Sequence, residues 1–453
     1  MNIQDNSQQF DKIISAWLFP GLGDGKRRTR FLFAGLFVGL LMRLGMQWFV
    51  DYRFDVGDAS YYLDAASNIV NHGVYSGDVN ASPVPQMLRP PLYPFLVAAV
   101  NCFLGEDIFF IQLVQVIVSI LTALLITRVA GVLAPKSSIW VFSLMMLSPF
   151  EAVYTGAVLS ESITAFLLTA TAYVLVSLRG MRRWGIGGVL LGLCTLTRDI
   201  YLPLIFLLGF GWAIFGNGRR QSRYCDLFVL MLSASLIVLP WSFRNYKISG
   251  RLVPVSEGRL GLSLWMGTWA VNGAFTEKDV GGQHVYPSEA FRTDSERQVV
   301  EHAFSLGGKE TDMALRAVAI QRILTDPVAV FKVYIVRSPM LWLGTRFDIF
   351  ELNKSYFPRS STLYVALKVI LWGVNTVIIV LGLGGLALAW WRRRRILMLC
   401  LPIVYTAAVY FPLNGFENRY SQPAYPFLIA CAGYFLAWLS TRRSLSRGAS
   451  DVS

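Results

Sequence analysis

Apolar residues run along this chain in long blocks. The first is FLFAGLFVGLLMRLGMQWFV at 31–50. Others fall at about 109–133, 138–154, 160–178, 185–198, 199–216, 225–242, 364–391, 396–412 and 423–440. Many approach the roughly 20 residues that cross a hydrocarbon core, so about ten transmembrane helices are expected. LYPFLVAAVNCFLG at 92–105 is too short to cross and reads as an interfacial or re-entrant helix. From Asp58 onward, Tyr61, Tyr62, Ala65, Ala66 and Ile69 recur at helical spacing, which predicts a second juxtamembrane helix. The stretch 328–345 reads as a membrane-surface helix broken at Pro339, and a further helix is expected near 310–324.

Charge gives these blocks an orientation. KRRTR at 26–30, RGMRR at 179–183, GRRQSR at 218–223, RRRR at 392–395 and TRRSLSR at 441–447 all land on one side if every block crosses. That is the positive-inside pattern, and it places both termini in the cytoplasm, with a bacterial inner (plasma) membrane as the expected location. Counting 328–345 as a span would turn RRRR outward. The net charge of +13 is thus spent on topology, and no nucleic-acid partner is expected. With 54% hydrophobic and only 15% charged residues, the 453-residue chain has too little polar surface for a soluble globule. The five cysteines form no CxxC pair, which argues against a disulfide framework or a zinc site.

The organisation that follows is a cytoplasmic segment 1–30 and a transmembrane catalytic module 31–242, with a first outer loop at 51–108. An extracytoplasmic domain of mixed structure follows at 243–362, then C-terminal transmembrane helices at 363–440 and a cytoplasmic tail at 441–453. The fold class is an all-α polytopic membrane protein with outer juxtamembrane helices.

Candidate chemistry gathers on the outer side. Asp58 opens its helix at the water–membrane boundary, where it could cap the helix or act as a general base. Glu161 starts an apolar span after Ser160; it suits the helix dipole, with Ser160 as a possible cap, yet an ionisable group at that depth is costly. Four arginines share this face: Arg89 before paired prolines, Arg198 beside Asp199, Arg244 after Pro240-Trp241, and Arg419 in the last outer loop. Singly they could snorkel or pair, as Arg198 with Asp199; together they suit a phosphate clamp, since guanidinium matches phosphate oxygens bidentately. Tyr61 and Tyr62 could stack on a sugar or bond its hydroxyls. His72, His284 and His302 show no metal-ligand spacing. Arg43, inside the first span, is expected to line the bundle or pair internally.

GDASYYLDAA at 57–66, RPPLYPFLVAAV at 89–100, LSESITAF at 159–166, LCTLTRD at 193–199, PWSFRNYKISGRLVPVS at 240–256 and ENRYSQPAYPFL at 417–428 make a recognisable series. In order and placement it resembles the GT-C glycosyltransferases, within them the dolichyl-phosphate-mannose–protein mannosyltransferase-like group that includes aminoarabinose transferases. The resemblance implies a polyprenyl-phosphate sugar donor and inverting transfer to a lipid, glycan or protein acceptor on the non-cytoplasmic face. It matches Asp58 to the family's first-loop acid, Glu161 to a further acid at an outer span end, Arg198 to a Thr-Arg pair, and Arg419 with Tyr420 to the last outer loop. Many members carry two adjacent acids where this chain has Gly57-Asp58. Several members work without a metal, and none is expected here, although oligosaccharyl members use one. The alternative class is a transporter or flippase for a lipid-linked sugar; against it stand the lack of matching halves and the scarcity of acids within the spans. A third is a scaffold subunit of an envelope assembly, in which no single carboxylate would matter to chemistry.

Overall fold

The computed structural model describes residues 13, 15–20, 25–50, 58–216, 219–257, 260–268, 278–280, 283–285, 293–306, 308–344, 361–392, 395–413 and 417–450. Asp51, Asp55, Gly57, most of the Gly-rich stretch 281–287 and residues 345–360 lie outside them. Contacts divide the chain into two compact units: 1–256 with 345–404 and 422–453, and 257–344 with 405–421.

The larger unit is an all-helical bundle. In chain order its helices are α1 (Gly25–Phe49), α2 (Asp58–His72), α3 (Leu92–Leu104), α4 (Ile108–Leu133), α5 (Ser138–Met146), α6 (Pro149–Gly156), α7 (Glu161–Ser177), α8 (Met181–Thr197), α9 (Leu202–Phe215) and α10 (Arg220–Ser249). Among the described residues, five helical segments are long and apolar enough to cross a membrane: α1, α4, α10, the later helix Thr362–Trp391, and Asn418–Arg442. The apolar helices at 92–104, 161–177, 199–215 and 400–410 are shorter. The block at 138–154 is not one helix. It is a pair, Pro135–Met146 and Pro149–Gly156, bent by 46°. The cause is Ser148-Pro149: a residue before proline is pushed out of the helical region, and the Ser148 side chain then accepts from Glu151 N at 3.3 Å to cap the new helix. This break puts Glu151, an acid inside an expected span, at 5% exposure in the bundle.

Side-chain contacts fix which ends of the helices lie together. Gln112 and Gln115 in the first turns of α4 donate to the carbonyls of Gly156 (2.9 Å) and of Thr155 and Ala157 (3.1 and 2.7 Å). Glycines then allow close helix contact. A Cβ at Gly188 of α8 would lie 2.0 Å from Ser233 Oγ and 2.5 Å from the Leu230 carbonyl of α10, and Gly192 repeats this one turn on. The end of α8 and the end of α10 therefore share one end of the bundle with the starts of α4 and α7. At the other end basic residues meet aromatic rings. Arg128 lies over Trp17, Arg183 over Trp184 and Trp212, and both Arg392 and Arg442 over Trp438. Asp226 is an acid at this basic end, and it accepts from Trp212 Nε1 at 3.0 Å. Arg43 sits fully buried between these ends and donates to Ser119 Oγ (2.9 Å) and to the carbonyls of Gly39 (3.0 Å) and Met145 (3.1 Å), so a buried cation is met by oriented dipoles.

The smaller unit contains α11 (Leu260–Gly267), a two-stranded antiparallel hairpin of β1 (Lys278–Val280) and β2 (Gln283–Val285), α12 (Asp294–Leu306), α13 (Gly308–Thr325), α14 (Pro327–Arg337) and α15 (Met340–Leu343). Trp265, Val300, Leu315, Val318 and Ala319 form its core. Helix α14 starts on Pro327, with Asp326 accepting from Ala329 N at 3.0 Å, and the chain restarts as α15 after Pro339. Val328, Phe331 and Ile335 of α14 are exposed, as a helix lying on an apolar surface requires. After this unit come α16 (Thr362–Trp391), α17 (Cys400–Tyr410) and α18 (Tyr425–Ser450).

Candidate active site

At the end of the bundle opposite the basic belt, two carboxylates each meet an arginine from another segment. Asp58, the first residue of α2, pairs with Arg89, which the Pro90-Pro91 dipeptide holds just before α3. Glu161, the first residue of α7, pairs with Arg198 at 2.8 Å; Arg198 follows the last turn of α8 in extended conformation. The expected Ser160 cap is not formed: its side chain makes no capping bond, because its backbone is already helical. Arg198 reaches Glu161 across the bundle, while the adjacent Asp199 accepts from Ser256 Oγ at 2.5 Å. Glu161 is 2% exposed, and among the described residues its buried Oε2 meets no hydrogen-bond donor.

Tyr62 lies within electrostatic reach of both pairs. Its ring lies edge-on to Tyr93 at 4.9 Å, and Tyr93 donates to Gln115 Oε1 at 3.0 Å. Burial pushes the Tyr62 phenol up to about 12; Asp58 and Glu161 add to the rise, and Arg89 and Arg198 oppose it. All four charges thus act on one phenol, which stays protonated and able to donate throughout the physiological range. Tyr61 projects from the same helix towards the loop. Its phenol is also raised, chiefly by burial, with Tyr75, Arg89 and Arg244 pulling the other way. The Tyr61 ring covers Gly77, where a Cβ would stand 2.2 Å away, so only glycine fits.

Arg244, near the end of α10, has its guanidinium turned to the loop. Nη1 donates to the Gln86 carbonyl at 2.7 Å and to Asn245 Oδ1 at 3.0 Å, and Nη2 to the Tyr75 carbonyl at 3.4 Å. It lies over Trp241 at 4.5 Å and Tyr75 at 5.4 Å. Arg419 and Tyr420 belong to the smaller unit. There Arg419 Nε donates to Glu417 at 2.9 Å, and Tyr420 stacks on Tyr410 at 4.7 Å and 5°.

Three features were not anticipated from the sequence. Tyr75 and Gln115 hold the loop and the helix entrances. Glu151 accepts from Gln422 Nε2 at 2.7 Å, across 271 residues of chain. The signal for Glu151 was the Ser-Pro dipeptide interrupting an apolar block. Among the described residues, no three histidine, cysteine or acidic side chains group in a way that could hold a metal ion.

A multi-pass helical bundle with juxtamembrane helices after its first span is the architecture implied by the GT-C resemblance. Three solved structures are similar to the chain, and two of them reach a TM-score of 0.50. The oligosaccharyltransferase AglB of Archaeoglobus fulgidus, in complex with an inhibitory peptide and a dolichol-phosphate, matches with a TM-score of 0.51 at 13% identity, over 93% of this chain and 52% of that one. The same organism's oligosaccharyltransferase tethered to an acceptor peptide matches with a TM-score of 0.50 at 14% identity, over 88% and 49%. ArnT of Cupriavidus metallidurans, bound to undecaprenyl phosphate, matches with a TM-score of 0.40 at 12% identity, over 91% and 78%. The chain spans about half the length of the oligosaccharyltransferases it matches. No protein-family model and no curated protein sequence matches it. The chain is an integral membrane protein that shares the fold of the AglB oligosaccharyltransferase's matched half.

Proposed function

We propose that this protein is a glycosyltransferase that moves a sugar from a polyprenyl-phosphate donor to an acceptor hydroxyl at the extracytoplasmic face, with inversion. The observation that carries the reading is that two carboxylate–arginine pairs, Asp58–Arg89 and Glu161–Arg198, stand at one end of the bundle, both within electrostatic reach of Tyr62. Support also comes from the shared fold with an oligosaccharyltransferase solved with dolichol-phosphate. Function does not follow from fold, so the site must bear the argument.

The chemistry needs a base beside an anion site. Asp58 takes the acceptor's proton as its oxygen attacks the anomeric carbon; the bond from that carbon to the phosphate oxygen breaks, and its electron pair leaves with the lipid phosphate. Base assistance of this kind contributes about 10²–10⁴-fold. Arg89 and Arg198 receive the charge that develops on the phosphate, and fixed donors need no reorganisation at that moment. A phosphate drawing a guanidinium away from its carboxylate would also leave that carboxylate more basic. Glu161 holds Arg198 in place and supports the acceptor side, while Tyr61 and Tyr62 contact the sugar. Arg244 serves this site through the loop it holds. For Arg419 and Tyr420, roles as a further phosphate ligand and sugar contact rest on the sequence resemblance alone. The basic end of the bundle faces the cytoplasm in this reading, and residues 243–362 help select the acceptor.

The test uses the full chain in liposomes with polyprenyl-phosphate sugars labelled in the sugar. Release of free polyprenyl phosphate together with a labelled acceptor product is the expected result. Movement of intact labelled donor between leaflets, without cleavage, would favour the flippase reading and contradict this one.

A further inference from the structure

Arg89 meets Asp58 from a loop without regular secondary structure. Residues 73–91 join α2 to α3, and the last two of them are prolines without N–H donors. What sets this loop is an aromatic cluster built around one buried tyrosine. Tyr75 is 5% exposed; its ring stacks on Phe95 (6.1 Å, 28°) and meets Trp241 edge-on at 5.0 Å. Its hydroxyl donates to the Arg89 carbonyl at 2.9 Å, with the Pro90 carbonyl at 3.2 Å. Gln86 N donates to the Tyr75 carbonyl at 3.0 Å, and Arg244 clasps the carbonyls of both residues. Asn68 of α2, the helix that begins with Asp58, donates to the carbonyls of Ser76 and Asp78, both at 2.7 Å. Trp241 is in turn fixed by its own bond to the Val255 carbonyl at 2.8 Å.

We propose that Tyr75, seated by Trp241 and Arg244, is a positioning residue: its hydroxyl sets the Arg89 backbone so that the guanidinium stands over Asp58 and the donor phosphate. The inference rests on the proposed function and adds to it a residue that touches no substrate. Tyr75 belongs to no sequence motif that pointed to the site. Its effect arises because one phenol holds the carbonyl of the residue whose side chain does the binding. A loop left free at that point would lose the geometry by which a guanidinium grips an anion with two bonds.

A purely structural tyrosine would weaken the protein in the same proportion whatever stands at position 89. A positioning tyrosine loses its value once Arg89 is gone, and a double-mutant cycle reads that difference. The probe is undecaprenyl phosphate, and the readout is its dissociation constant for the full chain in detergent. Tyr75→Phe keeps the ring and removes only the hydroxyl. It should weaken binding about 5- to 10-fold in the native background and less than about 2-fold in the Arg89→Ala background. Arg244→Gln, which releases the same loop, should show the same dependence on Arg89. Thermal unfolding of each variant confirms that folded protein is compared. If Arg89→Ala weakens binding but Tyr75→Phe has no effect, or has the same effect in both backgrounds, the positioning role is overturned while the phosphate site stands. If Arg89→Ala itself leaves binding unchanged, the phosphate role of Arg89 is wrong and the inference falls with it.

Discussion

The same ion pair occurs in both units of this protein and means different things in each. In the smaller unit Arg322 pairs with Glu296, donates to Thr268 Oγ1 at 3.1 Å and lies 6.0 Å from the Trp265 ring, beside the core of that unit. Its side chain is 4% exposed, and everything around it fastens α11, α12 and α13 together. In the larger unit the Arg89 and Arg198 side chains keep 22% and 14% of their surface open, sit at helix ends, and lie within electrostatic reach of one tyrosine. A carboxylate–guanidinium contact is therefore not a functional mark by itself. The proposed function builds on its position at a helix end, beside a second pair.

The contrast can be broken from the structural side first. Arg322→Ala leaves a part-buried Glu296 without its arginine and should cost no more than about 3–5 kcal/mol, the penalty for halving a buried pair. Thermal unfolding and amide exchange over 260–325 would show the loss, and turnover per folded molecule should stay near native. If turnover fell with stability intact, the smaller unit's pair would belong to the chemistry after all. Arg198→Ala should do the reverse. Losing one preorganised donor to the leaving phosphate costs about 10²–10³-fold in turnover, read as polyprenyl-phosphate release at saturating donor. Arg198→Lys should recover little, because an ammonium cannot reproduce the planar fork.

A smaller effect tests the scaffold that brings Glu161 and Arg198 to one end. Gly188→Val forces a side chain into the Leu230 backbone and Ser233, and overpacking of this kind costs about 1–3 kcal/mol. Unfolding in detergent should come at a lower temperature, while the donor affinity of the folded fraction changes little. An unchanged midpoint would mean that α8 and α10 do not approach as closely as the fold requires.

Much of this arrangement could be read from the residue order. The apolar blocks and their basic flanks gave the helices and the common end of the acids, since both depend on local hydrophobicity and charge. Asp58, Glu161, Arg89 and Arg198 stood out because an ionisable group at the edge of an apolar block is costly and rare. Their pairing was not legible: Arg198 was set beside Asp199 by sequence proximity, whereas the fold brings α7 and α8 together as a hairpin and selects Glu161. The bend at Ser148-Pro149 was written in a dipeptide but masked by the hydrophobicity around it. Tyr75 and the Glu151–Gln422 bond were beyond reach, because their meaning lies in partners from distant helices. Arg244 was placed at the correct helix end, yet its bonds to two loop carbonyls depend on a loop geometry that no periodicity specifies.

The central claim is that the Asp58 carboxylate is the base. Asp58→Asn keeps the shape of the side chain and removes its charge, and sugar transfer per folded molecule should be measured at saturating labelled donor. The account predicts a fall of about 10²–10⁴-fold with the protein still inserted and still binding undecaprenyl phosphate. Near-native transfer by Asp58→Asn would contradict it.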